Sequence, residues 1–302
     1  MLDRLFGNAY LLLVLTTMAW GGNAVASRFA VGEVSPMALT ALRWIAVVLL
    51  LLVVARREVV SAWPLLRPRL GVLALLGAVG FTGFNALFYV AAQYTTAINI
   101  GILQGAIPIF VLIGAYLVDR TPVTPLQALG VLLTILGVVA VTSGGTLERL
   151  MTLRLNLGDL LMVVACALYA GYTLGLRRRP AVSALASFAA LATGALLAAL
   201  PLVAIEAAAG FLQWPTTQGW LVILYVVIFP SFLSQLTFMQ GVKLIGAARA
   251  GVFVNLVPIF AAILSVLLLG EAFALHHAIA MVLVLGGIWI AEHAKKRQRS
   301  TR

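Results

Sequence analysis

Of 302 residues, 63% are hydrophobic and 10% charged, and the mean hydropathy is +1.10; a soluble domain, with roughly a quarter of its residues charged, is excluded. The formal net charge of +11 invites a nucleic-acid partner, but the cations fall in short stretches between apolar runs, so no nucleic acid is expected. The single Cys166 excludes an intrachain disulfide.

Apolar segments run near 8–31, 36–55, 71–93, 97–118, 125–143, 157–177, 183–205, 217–240, 248–268 and 275–293. Each is about 20 residues, the length a helix needs to cross about 30 Å of hydrocarbon. The first resembles a signal peptide, with Ala24-Val-Ala26 as a false cleavage site, but the run is too long and nine further spans follow. The chain therefore reads as an all-α polytopic membrane protein of ten transmembrane helices with short connections.

Alternating the loops from an inside N-terminus collects Arg4, Arg56, Arg57, Arg67, Arg69, Arg120, Arg177, Arg178, Arg179, Lys243, Arg249 and the tail Lys295, Lys296, Arg297, Arg299 and Arg302 on one side. Arg28, Arg149 and Arg154 remain on the other, with Arg43 inside the second span. That asymmetry predicts cytoplasmic termini, with the basic tail anchored on anionic lipid. Trp44, Trp63, Trp214, Trp220 and Trp289 lie near span ends, where indoles sit among headgroups; Trp20 lies mid-span.

One stretch occurs twice. Gly101-Ile-Leu-Gln-Gly-Ala-Ile-Pro-Ile-Phe110 matches Gly251-Val-Phe-Val-Asn-Leu-Val-Pro-Ile-Phe260, and each is followed by a glycine-bearing span, with Gly130 and Gly137 in one and Gly286 and Gly287 in the other. The chain divides into halves, 1–146 and 147–302, of five spans each. An odd number of spans inverts the second copy, the architecture of an alternating-access transporter.

Polar side chains at membrane depth outline a substrate path. Thr16, Trp20, Asn23 and Ser27 share one face of the first span; Asn85 and Tyr89 lie one turn apart in the third; Gln104 precedes Pro108 in the fourth. Tyr169, Tyr172 and Thr173 mark the sixth span, Ser231, Ser234, Gln235 and Phe238 the eighth, and Asn255 precedes Pro258 in the ninth. Interhelical hydrogen-bonding accounts for any one of these; together they predict a cavity whose outer half holds Asn85, Tyr89 and Gln104 and whose inner half holds Gln235, Phe238 and Asn255. Pro108 and Pro258 each free a carbonyl one turn back, marking a hinge or a static bend.

Glu33, Asp119, Asp159, Glu206 and Glu271 all fall at span ends, which leaves proton coupling unproven and facilitated exit open. Adjacent His276 and His277 do not share the face a helical metal site needs, and they are expected at the aqueous boundary. No metal, cofactor or enzymatic nucleophile is expected. Arg43 is read as pairing with Glu33, snorkelling to the outer interface, or binding a substrate carboxylate, with a structural partner favoured.

Trp20-Gly-Gly-Asn23, Pro36 with Leu42-Arg43, the span-central Pro108 and Pro258, and Leu269-Gly-Glu271 resemble the EamA family of the drug/metabolite transporter superfamily, over roughly residues 8 to 294. Within it the chain looks most like YddG-type exporters of aromatic amino acids. The resemblance implies a bacterial inner-membrane exporter with a cavity lined by the first, third, fourth, sixth, eighth and ninth helices. Two departures stand out: Asp119-Arg120-Thr121 replaces the acidic residue often found after the fourth span, and the first span lacks the Glu of small multidrug proton antiporters.

Aromatic walls with neutral amides suit a zwitterion bearing an apolar side chain, whereas a phosphorylated metabolite would want two or three cations. Aromatic and other neutral amino acids therefore lead, ahead of a multidrug or hydrophobic-cation exporter and a proton-coupled metabolite antiporter. A monomer in the lipid bilayer is expected.

Overall fold

The computed structural model describes residues 7–120, 123–146 and 156–300. Arg4, Thr121, Arg149, Arg154 and Arg302 of the sequence reading lie outside them. All regular structure among the described residues is helical. Nine helical stretches are long and apolar enough to cross a membrane, and a shorter apolar one spans Leu275–Ala291.

The individual α-helices of the first half are α1 (Ala9–Phe29), α2 (Pro36–Val54), α3 (Arg56–Leu66), α4 (Leu70–Gly77), α5 (Phe84–Ala91), α6 (Ala97–Gln104), α7 (Ile107–Asp119) and α8 (Pro125–Thr142). The second half holds α9 (Leu157–Gly175), α10 (Ala184–Ala208), α11 (Thr217–Val226), α12 (Ser234–Ile245), α13 (Ala247–Phe253), α14 (Val257–Leu269) and α15 (Leu275–Ser300). Side-chain caps start several of them: Asn8, Thr96, Asn156, Ser183 and Thr216 each accept a first-turn N–H, and Thr124 with Gln127 forms a capping box.

Three features depart from the sequence expectation. Residues expected as the loop before the third span form α3, an 11-residue helix with mostly exposed side chains. The third and eighth spans are interrupted by π-helical turns, Ala78–Gly83 and Val227–Leu233. The fourth and ninth spans break just ahead of Pro108 and Pro258, at Gly105–Ala106 and at Val254–Leu256, so each proline starts a new helix instead of bending a continuous one.

Packing follows from small residues. A Cβ on Gly130 would lie 2.4 Å from the Gly287 carbonyl oxygen, and one on Gly287 would lie 2.5 Å from that of Gly130, so α8 and α15 cross backbone to backbone. Gly21 and Gly101 make similar approaches to Ala261 in α14. Some contacts pair off when the halves are exchanged: α1 packs on α12 and α14, as α9 packs on α5 and α7, while α2 meets α10 and α8 meets α15; α6 also packs on α14.

Candidate substrate site

Arg43 lies seven residues into α2, about 10 Å from its start, and is 5% exposed. Its Nε donates to Ser231 Oγ at 2.8 Å, and its Nη1 donates to Asn85 Oδ1 at 2.7 Å and Tyr89 Oη at 2.6 Å. Each acceptor is held by a second bond. Ser231 Oγ donates to the Val226 carbonyl at 2.5 Å inside one π-helical turn, and Asn85 Nδ2 donates to the Phe81 carbonyl at 2.6 Å just after the other. Tyr89 Oη donates to Asn23 Oδ1 at 3.5 Å. The third and eighth spans thus use their irregular turns to aim lone pairs at one guanidinium. Ser231 belongs to the second half and the other members to the first, so the cluster bridges the halves.

Pairing of Arg43 with Glu33, one of the alternatives, is not made: Glu33 accepts from Thr216 Oγ1 instead. Nor does Arg43 snorkel: it is buried, with Nε and Nη1 turned toward the third and eighth spans. Trp44, expected among headgroups, is 2% exposed and stacks on Phe81 with ring centroids 4.9 Å apart. Trp63, Trp214, Trp220 and Trp289 are exposed, as span-end indoles are expected to be.

From Trp44 an aromatic chain runs through Phe81 to Tyr172 at 5.2 Å, Tyr169 at 5.2 Å, Phe84 at 5.2 Å and Phe88 at 5.6 Å, and returns to Tyr89 at 5.5 Å. It closes on the polar cluster where it began. Gly80 makes room for it, since a Cβ there would sit 2.1 Å from Tyr172 Cγ. Thr82 Oγ1 in the same turn donates to the Ala195 carbonyl at 2.6 Å. These tertiary contacts hold the π-helical turn.

The expected site residues divide into four groups. Asn23, Asn85 and Tyr89 join the Arg43 cluster, and Tyr169 and Tyr172 join the aromatic chain. Trp20 donates from Nε1 to the Pro230 carbonyl at 3.2 Å and packs against Phe238 at 5.3 Å. Gln104, Gln235 and Asn255 are half-buried on the fourth, eighth and ninth spans, outside both clusters, and Gln104 Nε2 is buried without a partner. Trp44, Phe81, Phe84 and Phe88 are the members that sequence reasoning missed, and Arg43, a cation well inside a span, was the signal for the cluster beside them.

Two cavities accompany these clusters. One of about 670 Å³ opens between α1, α11, α12 and α14, lined by Gly22, Tyr225, Ser234 and Thr237 among apolar side chains. One of about 630 Å³ lies between the ends of α8 and α15, beside Gly145 and His276. Of the polar residues expected along the path, Ser234 borders the first, and neither the Arg43 cluster nor the aromatic chain borders either.

The halves are knitted at the end of the bundle away from the termini. Glu206 accepts from Ser35 Oγ at 2.5 Å and from the Met37 and Ala38 N–H groups at 3.2 Å, capping α2. Glu271 caps α6 through the N–H groups of Ala97 at 2.9 Å and Ile98 at 3.0 Å. Asp159, almost wholly buried, accepts from Thr95 Oγ1 at 2.5 Å and Asn99 Nδ2 at 3.2 Å. His277 is also buried there, its Nδ1 accepting from Ala274 N–H at 3.0 Å, and does not face water as expected. At the end nearer the termini, Ser183 Oγ donates to Glu58.

A model of the EamA-like transporter family matches residues 7–143 and again 156–291. Similar proteins include the uncharacterized transporter YyaM of Bacillus subtilis (strain 168), 28% identical over 94% of this chain and 93% of its own. An uncharacterized transporter of Archaeoglobus fulgidus is 29% identical over 96% and 98%. A solved crystal structure superposes with a TM-score of 0.62 over 96% of this chain and 98% of its own at 20% identity, a likeness of fold.

Proposed function

Because the chain belongs to the EamA-like transporter family and is a multi-pass membrane protein, we propose that it is an alternating-access carrier exporting neutral amino acids, aromatic ones foremost, from the cytoplasm. The observation that carries this reading is the closed chain of aromatic rings ending on a polar cluster at the junction of the two halves. Rings suit an apolar side chain, and the fixed polar groups suit the charged end of a zwitterion.

The rocking mechanism rests on two inverted five-span halves. The double family match, the paired π-helical turns and the matching contacts of α1 and α9 support that symmetry. In this reading Trp20, Asn23, Asn85, Tyr89, Gln104, Tyr169, Tyr172, Gln235, Phe238 and Asn255 line the path, and Pro108 and Pro258 are its hinges. With the termini cytoplasmic by the charge rule, the end knitted by Glu206 and Glu271 is the outer one, closed in this conformation.

A hydrophobic-cation exporter fits less well, because a buried guanidinium repels a cationic substrate. Uptake of labelled phenylalanine, threonine and a phosphorylated control into proteoliposomes, with and without a pH gradient, tests the reading. Saturable phenylalanine flux that ignores the gradient is the expected result. Flux of a cationic drug with none of phenylalanine would overturn the substrate class, and flux that requires the gradient would overturn facilitation.

A further inference from the structure

Arg43 carries a buried charge that no described side chain balances. Its partners Ser231, Asn85 and Tyr89 are all neutral. The acids whose side chains are described are engaged elsewhere: Glu33 with Thr216, Glu58 with Ser183, Asp159 with Thr95 and Asn99, Glu206 with α2 and Glu271 with α6. Neutral acceptors orient a guanidinium and leave its charge in place, and a charge taken out of water without a counter-ion is strongly disfavoured. A protein that builds such a cradle from three spans has prepared for an anion.

Two donors are free to meet one. The cluster uses Nε and Nη1 of Arg43 and leaves Nη2 out. Next in sequence, Trp44 is 2% exposed, and its indole Nε1 is buried with no hydrogen-bond partner. The Arg43 guanidinium carbon sits 5.3 Å from the Trp44 ring centroid. A carboxylate brings the two acceptor oxygens and the single negative charge that this pair of neighbouring residues lacks. Trp44 stacks on Phe81, whose ring meets Tyr172 at a tilt with centroids 5.2 Å apart, an aromatic surface for an apolar or aromatic body.

We infer that Arg43 and Trp44 bind the carboxylate of the transported molecule, and that the ligand class is small apolar or aromatic monocarboxylates, with or without an ammonium group. The transport part of this inference rests on the carrier reading above; the binding part stands on Arg43 and Trp44 alone. One guanidinium matches one negative charge, so amines and amides of the same shape are rejected.

Thermal unfolding of the purified protein in detergent separates these classes. The probes are 3-phenylpropionate, 3-phenylpropanamide and phenethylamine, which share a ring and differ at one end. Only the carboxylate is expected to raise the melting temperature. Arg43→Gln should weaken its apparent Kd by roughly tenfold or more, and Trp44→Phe, which keeps the stack on Phe81, by a few fold. Should Arg43→Gln fail to fold, Trp44→Phe and the three probes on the unsubstituted protein still decide. Stabilisation by the amide or amine equal to that by the carboxylate would overturn the inference, as would stabilisation by none of them or an unchanged Kd in Trp44→Phe. Carboxylate binding without phenylalanine flux in proteoliposomes would keep the site and remove the amino-acid carrier reading.

Discussion

The Glu271 carboxylate accepts the backbone N–H of Ala97 at 2.9 Å, so an acid from the second half closes the N-terminus of a helix in the first. The charge complements the positive end of α6, whose first N–H groups have no intrahelical partner. Aligning Pro108 with Pro258 gives two 13-residue helices, each ending at a left-handed residue, Arg120 at φ 50° and Gly270 at φ 65°. On that alignment Thr121 stands where the second half has Glu271. The carboxylate that caps α6 has no counterpart at the corresponding position of the first half.

Glu271→Gln keeps one acceptor oxygen and loses the charge. The knitted end should open more readily, by about 1 kcal/mol or roughly fivefold in the open population. In a Cys166→Ala background, Ile98→Cys, at a fully buried position, reports this through its labelling rate with a membrane-impermeant maleimide. An unchanged rate would mean the Glu271 cap does not hold that end closed.

Neighbouring glycines in α15 should behave in opposite ways. A Cβ on Gly287 would meet Thr134 Oγ1 at 2.4 Å and the Gly130 carbonyl oxygen at 2.5 Å, whereas one on Gly286 meets nothing within 4 Å. Gly287→Ala is therefore expected to cost about 1–3 kcal/mol and Gly286→Ala close to nothing, read as melting temperatures in detergent. Equal effects would contradict the close crossing of α8 and α15.

Much of this was legible in the sequence, and what was not has a physical cause. Ten apolar segments, the repeated Pro-Ile-Phe and the polar faces follow from local composition, because hydrocarbon leaves each span few choices. That Asn23, Asn85 and Tyr89 face the interior followed from the need of buried polar groups for partners; their meeting at Arg43 did not. The π-helical turns did not, since they arise where Gly80 yields to Tyr172 and Thr82 reaches Ala195, contacts between distant parts of the chain. Arg43 was noticed, and Glu33 was the one partner its sequence neighbourhood offered by name; in the fold Thr216 takes Glu33 and three neutral groups take Arg43.

The aromatic chain separates stability from transport. Phe81 is buried against Trp44, Tyr172 and Phe188, so Phe81→Ala should destabilise by about 3 kcal/mol or more. Tyr169 is half-buried, and Tyr169→Ala or Tyr169→Trp should change transport kinetics while leaving expression and melting close to the parent. Unchanged kinetics for both substitutions would remove Tyr169 from the path.

Trans-acceleration tests the central claim of a carrier rocking around one site between its halves. Proteoliposomes loaded with unlabelled phenylalanine should take up labelled phenylalanine faster than empty ones, with saturation, because a loaded carrier returns its site without waiting for the empty transition. Flux that rises linearly with concentration and ignores the internal phenylalanine would describe a pore and contradict the account.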